Sequence, residues 1–277
     1  MRKPLFRKIT IVGVGLLGGS IGMAVKKQNI SQEVCGYFRD KKKIAAAKRQ
    51  GAIDTGTNNF AGAVKHSDLI ILCSPVEDIK AKLRELKRLG IAKTLITDVG
   101  STKTEIIQAA KGLNFVGSHP LAGSEQSGVA YGRADLFEGS VCIVTPDQAT
   151  DASVRAVCRL WKTLGSRVTI LPARQHDVAL AFTSHLPHAV AYALAAVMPD
   201  HCEQFAAGGL KDTTRIALSH PEVWSDIFLS NKDNVLKSLH AFERSLKRLK
   251  SAIAAQDRKA LKKFLVCVRN KRQQILS

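Results

Sequence analysis

The feature that most constrains the fold is a glycine-rich turn close to the start of the chain. The segment GVGLLG (13–18) fits the pattern G-x-G-x-x-G, follows the β-branched run KITIVGV (8–14) and leads into the helical pattern LLGGSIGMAVKKQ. In this setting the first glycine permits a tight turn, the second lets the backbone approach a pyrophosphate, and the third lets helix and strand pack closely. The turn therefore predicts a dinucleotide-binding site, the alternative being a glycine-rich turn that binds nothing. The residues predicted to line the site are Gly13, Gly15, Leu16, Leu17 and Gly18.

Strand-like and helical patterns alternate over the first 172 residues. The helical patterns LLGGSIGMAVKKQ, DKKKIAAAKRQG and VEDIKAKLRELKRLG each separate two strand-like runs. Such alternation predicts a parallel sheet with crossover helices, because strands that are covered on both faces are almost continuously apolar. Ser74 and Pro75, which end the third run, are further predicted cofactor contacts. The predicted strands are 8–14, 33–38, 67–75, 94–101, SVCIVTP (140–146) and 167–172.

The character of the chain changes after Pro172. The segment QHDVALAFTSHLPHAVAYALAAVM is helical and rich in alanine, and no further strand-like run follows. Apolar residues then recur at spacings of three and four, which predicts one long amphipathic helix. They are Val235, Leu236, Leu239, Phe242, Leu246, Leu249 and Ile253. A stripe of this kind is typical of a subunit interface, or it packs within its own chain. We expect an α/β fold with a Rossmann-type dinucleotide-binding domain (1–172) and an all-helical domain (173–277) for substrate binding and homodimerisation.

The end of the second predicted strand bears on the choice of cofactor. NAD sites place an acid about 20 residues beyond the glycine turn, where it holds the ribose 2′-hydroxyl. Phe38 occupies that position here, followed by Arg39, Asp40 and three lysines (41–43). Cationic side chains suit a 2′-phosphate, so NADP is favoured over NAD, with Arg39 as the contact. The alternative is that the lysines form the solvated first turn of the next helix.

Composition places the chain among cytoplasmic proteins. An apolar share of 45% is ordinary for a globular protein. The six cysteines form no CxxC pair, which fits reduced thiols rather than disulfides or zinc. The N-terminal stretch is basic and then apolar, but it carries five glycines and no small-residue cleavage pattern, unlike a signal peptide. No other stretch approaches the ~20 apolar residues needed to cross a bilayer, so we expect no membrane association.

The formal net charge of +19 raises the question of a nucleic-acid partner. Twelve Lys/Arg and two Asp/Glu lie between Lys237 and Ser277, so about half of the excess charge belongs to a C-terminal helical stretch. No zinc-finger, RNP or helix-turn-helix signature accompanies these charges, and a basic protein also attracts small anions such as nucleotides and carboxylates. We therefore expect no specific nucleic-acid partner and interpret the tail as a solvated or subunit face.

One polar segment, GSHPLAGSEQSGV (117–129), fits neither a helix interior nor a central strand. It contains three glycines and a proline, which are costly in both, and it lacks an apolar period. We expect a loop of hydrogen-bonding groups that reaches into a cleft. His119 is the residue of this segment whose ordinary pKa best suits acid–base chemistry near neutral pH.

Five segments together resemble the prephenate and arogenate dehydrogenases of tyrosine biosynthesis. They are GVGLLGGS, DVGSTK, SHPLAGSEQSGV, SHLPHAVAYAL and GGLKDTTRIALSHPEVW, and they span nearly the whole chain. The resemblance implies the oxidative decarboxylation of a cyclohexadienol, in which hydride passes from the carbon that bears the hydroxyl to NAD(P) and carbon dioxide leaves as the ring becomes aromatic. The implied substrate is prephenate, giving 4-hydroxyphenylpyruvate, or alternatively arogenate, giving tyrosine.

The resemblance also implies roles for individual residues. His119 polarises or deprotonates the ring hydroxyl, and Ser101 bonds to the same hydroxyl and to the histidine; alternatively, Ser101 serves the capping box TKTE (102–105). Arg215 offers paired donors to a substrate carboxylate, with Asp212 fixing its orientation. The remaining substrate contacts implied by the resemblance are Ser124, His188, Gly208 and Trp224.

Other interpretations remain open at this point. A β-hydroxyacid or imino-acid reductase would share the glycine turn and the helical second part, but no convincing G-x-x-x-K segment follows residue 172. A non-enzymatic, NADP-sensing dimer would not need the full set of candidate side chains. His185 and His188 flank Pro187 and suit a metal, but no third ligand stands at a suggestive spacing, so we predict no metal site. The resemblance implies a structural role for His185.

Overall fold

A single eight-stranded sheet organises the computed structural model, which describes residues 4–123 and 126–276. The strands are β1 (Phe6–Val12), β2 (Ser31–Tyr37), β3 (Thr55–Thr57), β4 (Leu69–Leu72), β5 (Leu95–Asp98), β6 (Phe115–Pro120), β7 (Val141–Thr145) and β8 (Arg167–Ile170). Their spatial order is β3-β2-β1-β4-β5-β6-β7-β8. The predicted α/β fold is confirmed, and the short edge strand β3 adds to the predicted set.

The direction of the strands changes once across the sheet. The first six strands are parallel, β6 and β7 are antiparallel, and β8 is parallel to β7. Parallel neighbours require a long crossover connection, usually a helix. Between β6 and β7 the described residues form only a short 3₁₀ turn, Val129–Tyr131. The chain therefore reverses at this point, and β7 and β8 extend the sheet in the opposite sense.

Helices cover both faces of the sheet and follow it in the chain. Within the described residues they are α1 (Leu16–Lys27), α2 (Lys42–Arg49), α3 (Phe60–Val64), α4 (Val76–Arg88), α5 (Thr104–Ala110), α6 (Asp151–Thr163), α7 (Ala173–Leu180), α8 (Leu186–Ala196), α9 (Gly208–Thr214), α10 (Pro221–Ser230), α11 (Lys232–Ala254) and α12 (Arg258–Leu276). Strand β4 shows why both faces are covered: Leu69 and Ile71 belong to one buried cluster, and Ile70 and Leu72 to another. Successive side chains of a strand point to opposite faces, so each face has its own core.

The prediction that 117–129 contains no strand was wrong, because Gly117–Pro120 completes β6. Strand β5 pairs with β6 only at Phe115 and Val116, so the rest of β6 has a single neighbour, β7. The N–H of Leu121 donates to the carbonyl of Val141 at 2.7 Å, so the nitrogen of the preceding Pro120 faces the open side. A proline is tolerated at such a position because no ladder hydrogen bond is lost. His119 is therefore held on a strand rather than on a loop.

The chain divides into two compact units, Met1–Asn231 and Lys232–Ser277. The second unit contains α11 and α12, and the Arg248 guanidinium lies 5.8 Å from the centre of the Phe264 ring. Helix α11 is the long amphipathic helix that the apolar spacing predicts, which confirms that prediction. The domain boundary near residue 172 stays a prediction.

One helical stretch, Ala173–Ala196, is apolar and long enough to cross a membrane, with a mean hydropathy of 1.3. The expectation that no such stretch follows the N-terminal region was therefore wrong. The stretch comprises α7, a π-helical turn (Ala181–His185) and α8. It carries the buried pair His176 and Asp177. A single helix that meets this criterion is weak evidence for a membrane span, because helices of soluble proteins meet it too.

Candidate active site

The glycine turn sits between β1 and α1 and leaves open space over the helix N-terminus. Gly13 has a φ of +92°, and a side chain there would place its Cβ 2.7 Å from the carbonyl oxygen of Cys73. A Cβ on Gly18 would lie 2.2 Å from the carbonyl oxygen of Gly13. A Cβ on Gly15, by contrast, would meet no protein atom within 4 Å. Packing thus requires glycine at positions 13 and 18. Gly15 borders an open space at the helix N-terminus, where the helix dipole favours an anion.

The other candidate cofactor contacts lie around this space. Leu16 and Leu17 form the first turn of α1 and are half-buried. Ser74 and Pro75 follow β4, the neighbour of β1 in the sheet. The hydroxyl of Ser74 is buried and has no hydrogen-bond partner in the part of the chain that the structure describes. A buried hydroxyl without a partner is costly, so the site fits a bound group that supplies hydrogen-bonding atoms.

Arg39 follows the end of β2 and is exposed, as are the lysines at 41–43. Asp40 is committed elsewhere, because its Oδ1 accepts the backbone N–H of Lys42 at 2.9 Å, at the start of α2. The acid nearest to the strand end therefore serves a helix terminus, and cationic side chains surround it.

A cavity of about 560 Å³ brings together five of the predicted site residues. They are Ser101, His119, His188, Arg215 and Trp224. Their side chains come from β6, from the segment after β5, and from the helical elements after residue 172. The convergence of residues so far apart in the chain is the main result of folding at this site.

The His119 ring borders the cavity and is bonded behind it to another histidine. Its Nδ1 lies 2.9 Å from Nε2 of His176. Burial lowers the pKa of His119 well below its ordinary value, and the neighbouring His176 and Lys103 lower it further. His119 is therefore neutral at physiological pH, which is the form that can accept a proton.

A buried ion pair ties the segment that carries Ser101 to the strand that carries His119. Asp98 and Lys103 are both fully buried and pair with each other. Asp98 also accepts the N–H of Ser118 at 3.0 Å, and the Lys103 ammonium donates to the Ser118 carbonyl at 3.0 Å. The backbone beside His119 is thus fixed by both charges.

Ser101 lines the cavity, but no hydrogen bond joins it to His119 among the described residues. This differs from the bond that the family resemblance implies. Ser101 does not cap α5 either, because the first amides of that helix are bonded to Asp177: the N–H groups of Lys103 and Thr104 each donate to its carboxylate at 2.8 Å. The Ser101 side chain is therefore not used for capping.

His188 and Trp224 form one wall of the cavity. Their rings are stacked, with centres 3.5 Å apart and planes at 21°. Nδ1–H of His188 donates to the carbonyl of Ser184 at 2.9 Å, one turn earlier in the helix. Burial lowers the pKa of His188, and the positive charge of Arg215 acts in the same direction. His188 thus presents a neutral ring beside a permanent cation.

Several predicted details differ from the structure or fall outside it. Gly208 begins α9 and is not part of the cavity lining; a Cβ there would meet nothing within 4 Å. Asp212 forms no ion pair with Arg215 in the described regions, although the two are three residues apart. Ser124 lies outside the described residues.

Sequence reasoning missed two residues behind His119, namely His176 and Asp177. Both are buried, and Nδ1 of His176 lies 2.8 Å from Oδ1 of Asp177. The available signal was the dipeptide His-Asp inside an otherwise apolar helical segment. By contrast, His185 is buried beside Asn231, with 3.2 Å between its Nδ1 and the Asn231 Nδ2, and it is not part of the cavity lining.

Comparison with known proteins identifies the family. Residues 21–170 match the family described as "Prephenate dehydrogenase, nucleotide-binding domain", and residues 172–266 match "Prephenate dehydrogenase, dimerization domain". The chain belongs to the prephenate dehydrogenase family. It is therefore an NAD(P)-dependent oxidoreductase. This excludes the two other interpretations, a β-hydroxyacid or imino-acid reductase and a non-enzymatic dimer.

Individual members of the prephenate dehydrogenase family match over most of the chain. The prephenate dehydrogenase of Bacillus subtilis is 36% identical over 270 residues, which cover 92% of this chain and 72% of that protein. The cyclohexadienyl dehydrogenase of Zymomonas mobilis is 34% identical over 265 residues, or 91% and 90% of the two chains. The crystal structure of A. aeolicus prephenate dehydrogenase with hydroxyphenyl propionate and NAD+ is 35% identical, with a TM-score of 0.90 over 97% of this chain and 98% of that one.

Proposed function

We propose that this enzyme oxidatively decarboxylates prephenate to 4-hydroxyphenylpyruvate, with NADP as the preferred hydride acceptor, in cytoplasmic tyrosine biosynthesis. The observation that carries the proposal is the convergence of Ser101, His119, His188, Arg215 and Trp224 on one cavity. Relatives named prephenate dehydrogenase, one of them 36% identical, support prephenate over arogenate as the substrate.

His119 is the base in this proposal. It is neutral because burial lowers its pKa, so its ring can take the proton of the substrate hydroxyl as the carbon that bears the hydroxyl loses hydride. The oxidised nicotinamide, when bound, supplies the hydride acceptor. The bond to the leaving carboxylate then breaks, its electron pair enters the ring, and His119 returns the proton to the oxygen of the new phenol. In total, one hydride is transferred and one carbon dioxide is released, and no proton is taken up or released overall.

Arg215, His188 and Trp224 hold the substrate in place. The guanidinium of Arg215 offers paired donors to a planar carboxylate. The stacked rings of His188 and Trp224 give the flat substrate ring an aromatic surface. Ser101 is assigned to the substrate hydroxyl, since it lines the cavity and its side chain is not used to cap α5. These contacts place the reacting carbon, and orientation of this kind contributes much of the rate enhancement in hydride transfer.

The cofactor assignment rests on the glycine turn and on the residues after β2. The residues proposed to hold the dinucleotide are Gly13, Gly15, Gly18, Leu16, Leu17, Ser74 and Pro75. Phe38 stands where an NAD site has its acid and is followed by the cation Arg39, and Asp40 is bonded to the start of α2. We expect kcat/KM to be higher with NADP than with NAD, and Arg39→Ala to reduce that margin. Arg49→Ala, at the far end of α2, is the matched control; better use of NAD by the unmodified enzyme would exclude NADP preference.

The decisive experiment is an assay of purified protein with prephenate and with arogenate, with product identified by mass. His119→Asn is expected to lower kcat by roughly 10²–10⁴-fold with little change in KM. Arg215→Gln is expected mainly to raise KM, by roughly 10–100-fold, because a charge-assisted hydrogen bond is lost in ground and transition states alike. Near-normal kcat in His119→Asn would exclude the proposed chemistry.

We also propose that two copies associate through the C-terminal helices. The match to a dimerization domain supports this, as do large apolar side chains that are exposed on α11 and α12: Leu236, Phe242, Leu246, Ile253, Leu265 and Val268. Light scattering should give twice the chain mass, and Leu246→Gln should weaken the dimer more than Lys247→Gln, which changes an exposed charge beside it. A monomer at micromolar concentration would exclude the proposal.

A further inference from the structure

A line of hydrogen bonds runs from the cavity into the protein through three side chains. Nδ1 of His119 lies 2.9 Å from Nε2 of His176, and Nδ1 of His176 lies 2.8 Å from Oδ1 of Asp177. His119 is partly accessible from the cavity, whereas His176 and Asp177 are 0% and 1% exposed. The line therefore connects a ring that can touch substrate to a carboxylate that cannot.

Asp177 can only be the acceptor at the inner end of this line. Its two oxygens also accept the backbone N–H groups of Lys103 and Thr104, each at 2.8 Å. Burial alone would raise the pKa of Asp177, but the hydrogen bonds from His176 and Thr104 outweigh it and hold the pKa below its ordinary value. A carboxylate that accepts three N–H groups is ionised, so Nδ1 of His176 must carry the proton of their shared bond.

The polarity of the whole line follows from that end. Because His176 is neutral when burial lowers its pKa, a proton on its Nδ1 leaves Nε2 with a lone pair. That lone pair accepts Nδ1–H of His119, and the Nε2 of His119 is then the nitrogen without a proton. The tautomer of His119 is thus fixed as the one whose free lone pair is available to a hydroxyl in the cavity.

We propose that His176 and Asp177 are positioning residues for His119, which fix its tautomer and ring orientation and stabilise the imidazolium that forms when it takes the substrate proton. The inference rests on the proposed function of His119 as a base. The proton goes from the hydroxyl to Nε2 of His119 and back to the same oxygen; the protons on the two Nδ1 atoms stay where they are. The arrangement follows the same physical logic as a histidine oriented by a buried carboxylate in hydrolases, with a second histidine inserted between the two.

The test has a readout that does not depend on substrate. The ¹⁵N chemical shifts of the His119 ring report which nitrogen carries the proton, and we expect Nδ1–H in the unmodified enzyme. Asp177→Asn places an amide where His176 now donates. We expect His176 to change tautomer, His119 to lose its Nδ1–H preference, and kcat with prephenate to fall by roughly 10²–10⁴-fold while KM stays within about threefold.

A matched control separates this role from helix capping, since Asp177 also bonds to the start of α5. Asp147 accepts the N–H of Ala173 at 3.2 Å at the start of α7, and no hydrogen bond or ion pair joins it to a histidine within the described residues. Asp147→Asn should leave the His119 tautomer and kcat unchanged. Should Asp177→Asn not fold, His176→Gln removes the middle of the line, and we expect a mixed His119 tautomer and a similar loss of kcat.

The outcomes distinguish the inference from the function on which it rests. An Nε2–H tautomer of His119 in the unmodified enzyme would overturn the inference, as would kcat within threefold of normal in the folded variants. If His119→Asn retained activity, the proposed function would fail while the tautomer measurement still reported on the line of bonds.

Discussion

The rings of His188 and Trp224 are stacked face to face, with centres 3.5 Å apart. His188 comes from α8 and Trp224 from α10, so the stack joins two helices at the wall of the cavity. The bond from His188 to the Ser184 carbonyl fixes the remaining rotation of the imidazole. The two rings therefore form a rigid surface rather than two independent contacts.

Removal of this surface should weaken substrate binding selectively. Trp224→Leu is expected to raise KM for prephenate by about tenfold, since the substrate ring, which is not aromatic before the reaction, loses apolar contact with the indole at about 25 cal/mol per Å². KM for NADP should not change, because Trp224 is not among the proposed cofactor contacts. Trp224→Phe keeps an aromatic face and should retain most of the affinity. A KM for prephenate that is unaltered in Trp224→Leu would show that the stack does not face the substrate.

The glycine turn gives two substitutions with opposite expectations. A Cβ at Gly15 meets no protein atom within 4 Å, so Gly15→Val should leave the melting temperature unchanged and raise KM for NADP by at least about tenfold. A Cβ at Gly18 would lie 2.2 Å from the Gly13 carbonyl, so Gly18→Ala should destabilise the fold by roughly 1–3 kcal/mol. Thermal unfolding with and without NADP measures both effects. If the two variants changed the melting temperature and the KM for NADP to the same extent, the turn would not face a ligand.

The buried ion pair should contribute more to stability than the ion pairs on the surface. Lys103→Met would leave the Asp98 carboxylate buried without its partner, at a cost of about 3–5 kcal/mol in the free energy of unfolding. Lys80 pairs with Glu77 and Glu105, both of which are well exposed to solvent, so Lys80→Met should cost no more than about 1 kcal/mol. Urea unfolding measures the difference, and similar losses in the two variants would contradict the importance assigned to the buried pair.

The basic tail should behave as a non-specific polycation. The segment from Lys237 to Ser277 contains twelve Lys/Arg and two Asp/Glu. It should bind duplex DNA weakly at low salt, and the affinity should fall steeply as the salt concentration rises. Fluorescence anisotropy with two unrelated duplexes tests this. Sequence-dependent retention at physiological salt would reveal a nucleic-acid function.

The sequence was sufficient for the elements whose signals are local. Gly13, Gly15 and Gly18 have a fixed spacing between an apolar run and a helical pattern, and the apolar period of α11 needs no knowledge of its surroundings. The position of His119 could not be found in this way. Pro120 disfavours a central strand on average, but here β5 ends before it, and the length of the neighbouring strand is not encoded near residue 120.

Contacts across long separations were also beyond sequence reasoning. The bond between His119 and His176 joins residues 57 positions apart, and nothing in either local pattern specifies the other. The amides of Lys103 and Thr104 find their acceptor more than 70 residues away, in Asp177. A local search for a cap therefore favoured the TKTE box, whereas tertiary packing supplies a carboxylate from α7.

The buried histidines should make the enzyme less stable as the pH falls below about 6.5. Burial lowers the pKa of His185 from 6.5 to about 4, against a raising effect of Asp177. The unfolded chain therefore binds a proton on this ring at a higher pH than the folded chain, and the free energy of unfolding must decrease as the pH falls from about 6.5 towards about 4. For His185 alone the loss between pH 7.5 and pH 5 amounts to about 2 kcal/mol. Urea unfolding at the two pH values should show that the free energy of unfolding decreases by at least this amount, since the pKa values of His119 and His176 are lowered too. His185→Gln should reduce the decrease by about 2 kcal/mol. A pH dependence that is identical in His185→Gln and in the unmodified enzyme would mean that this ring is not held neutral by the fold.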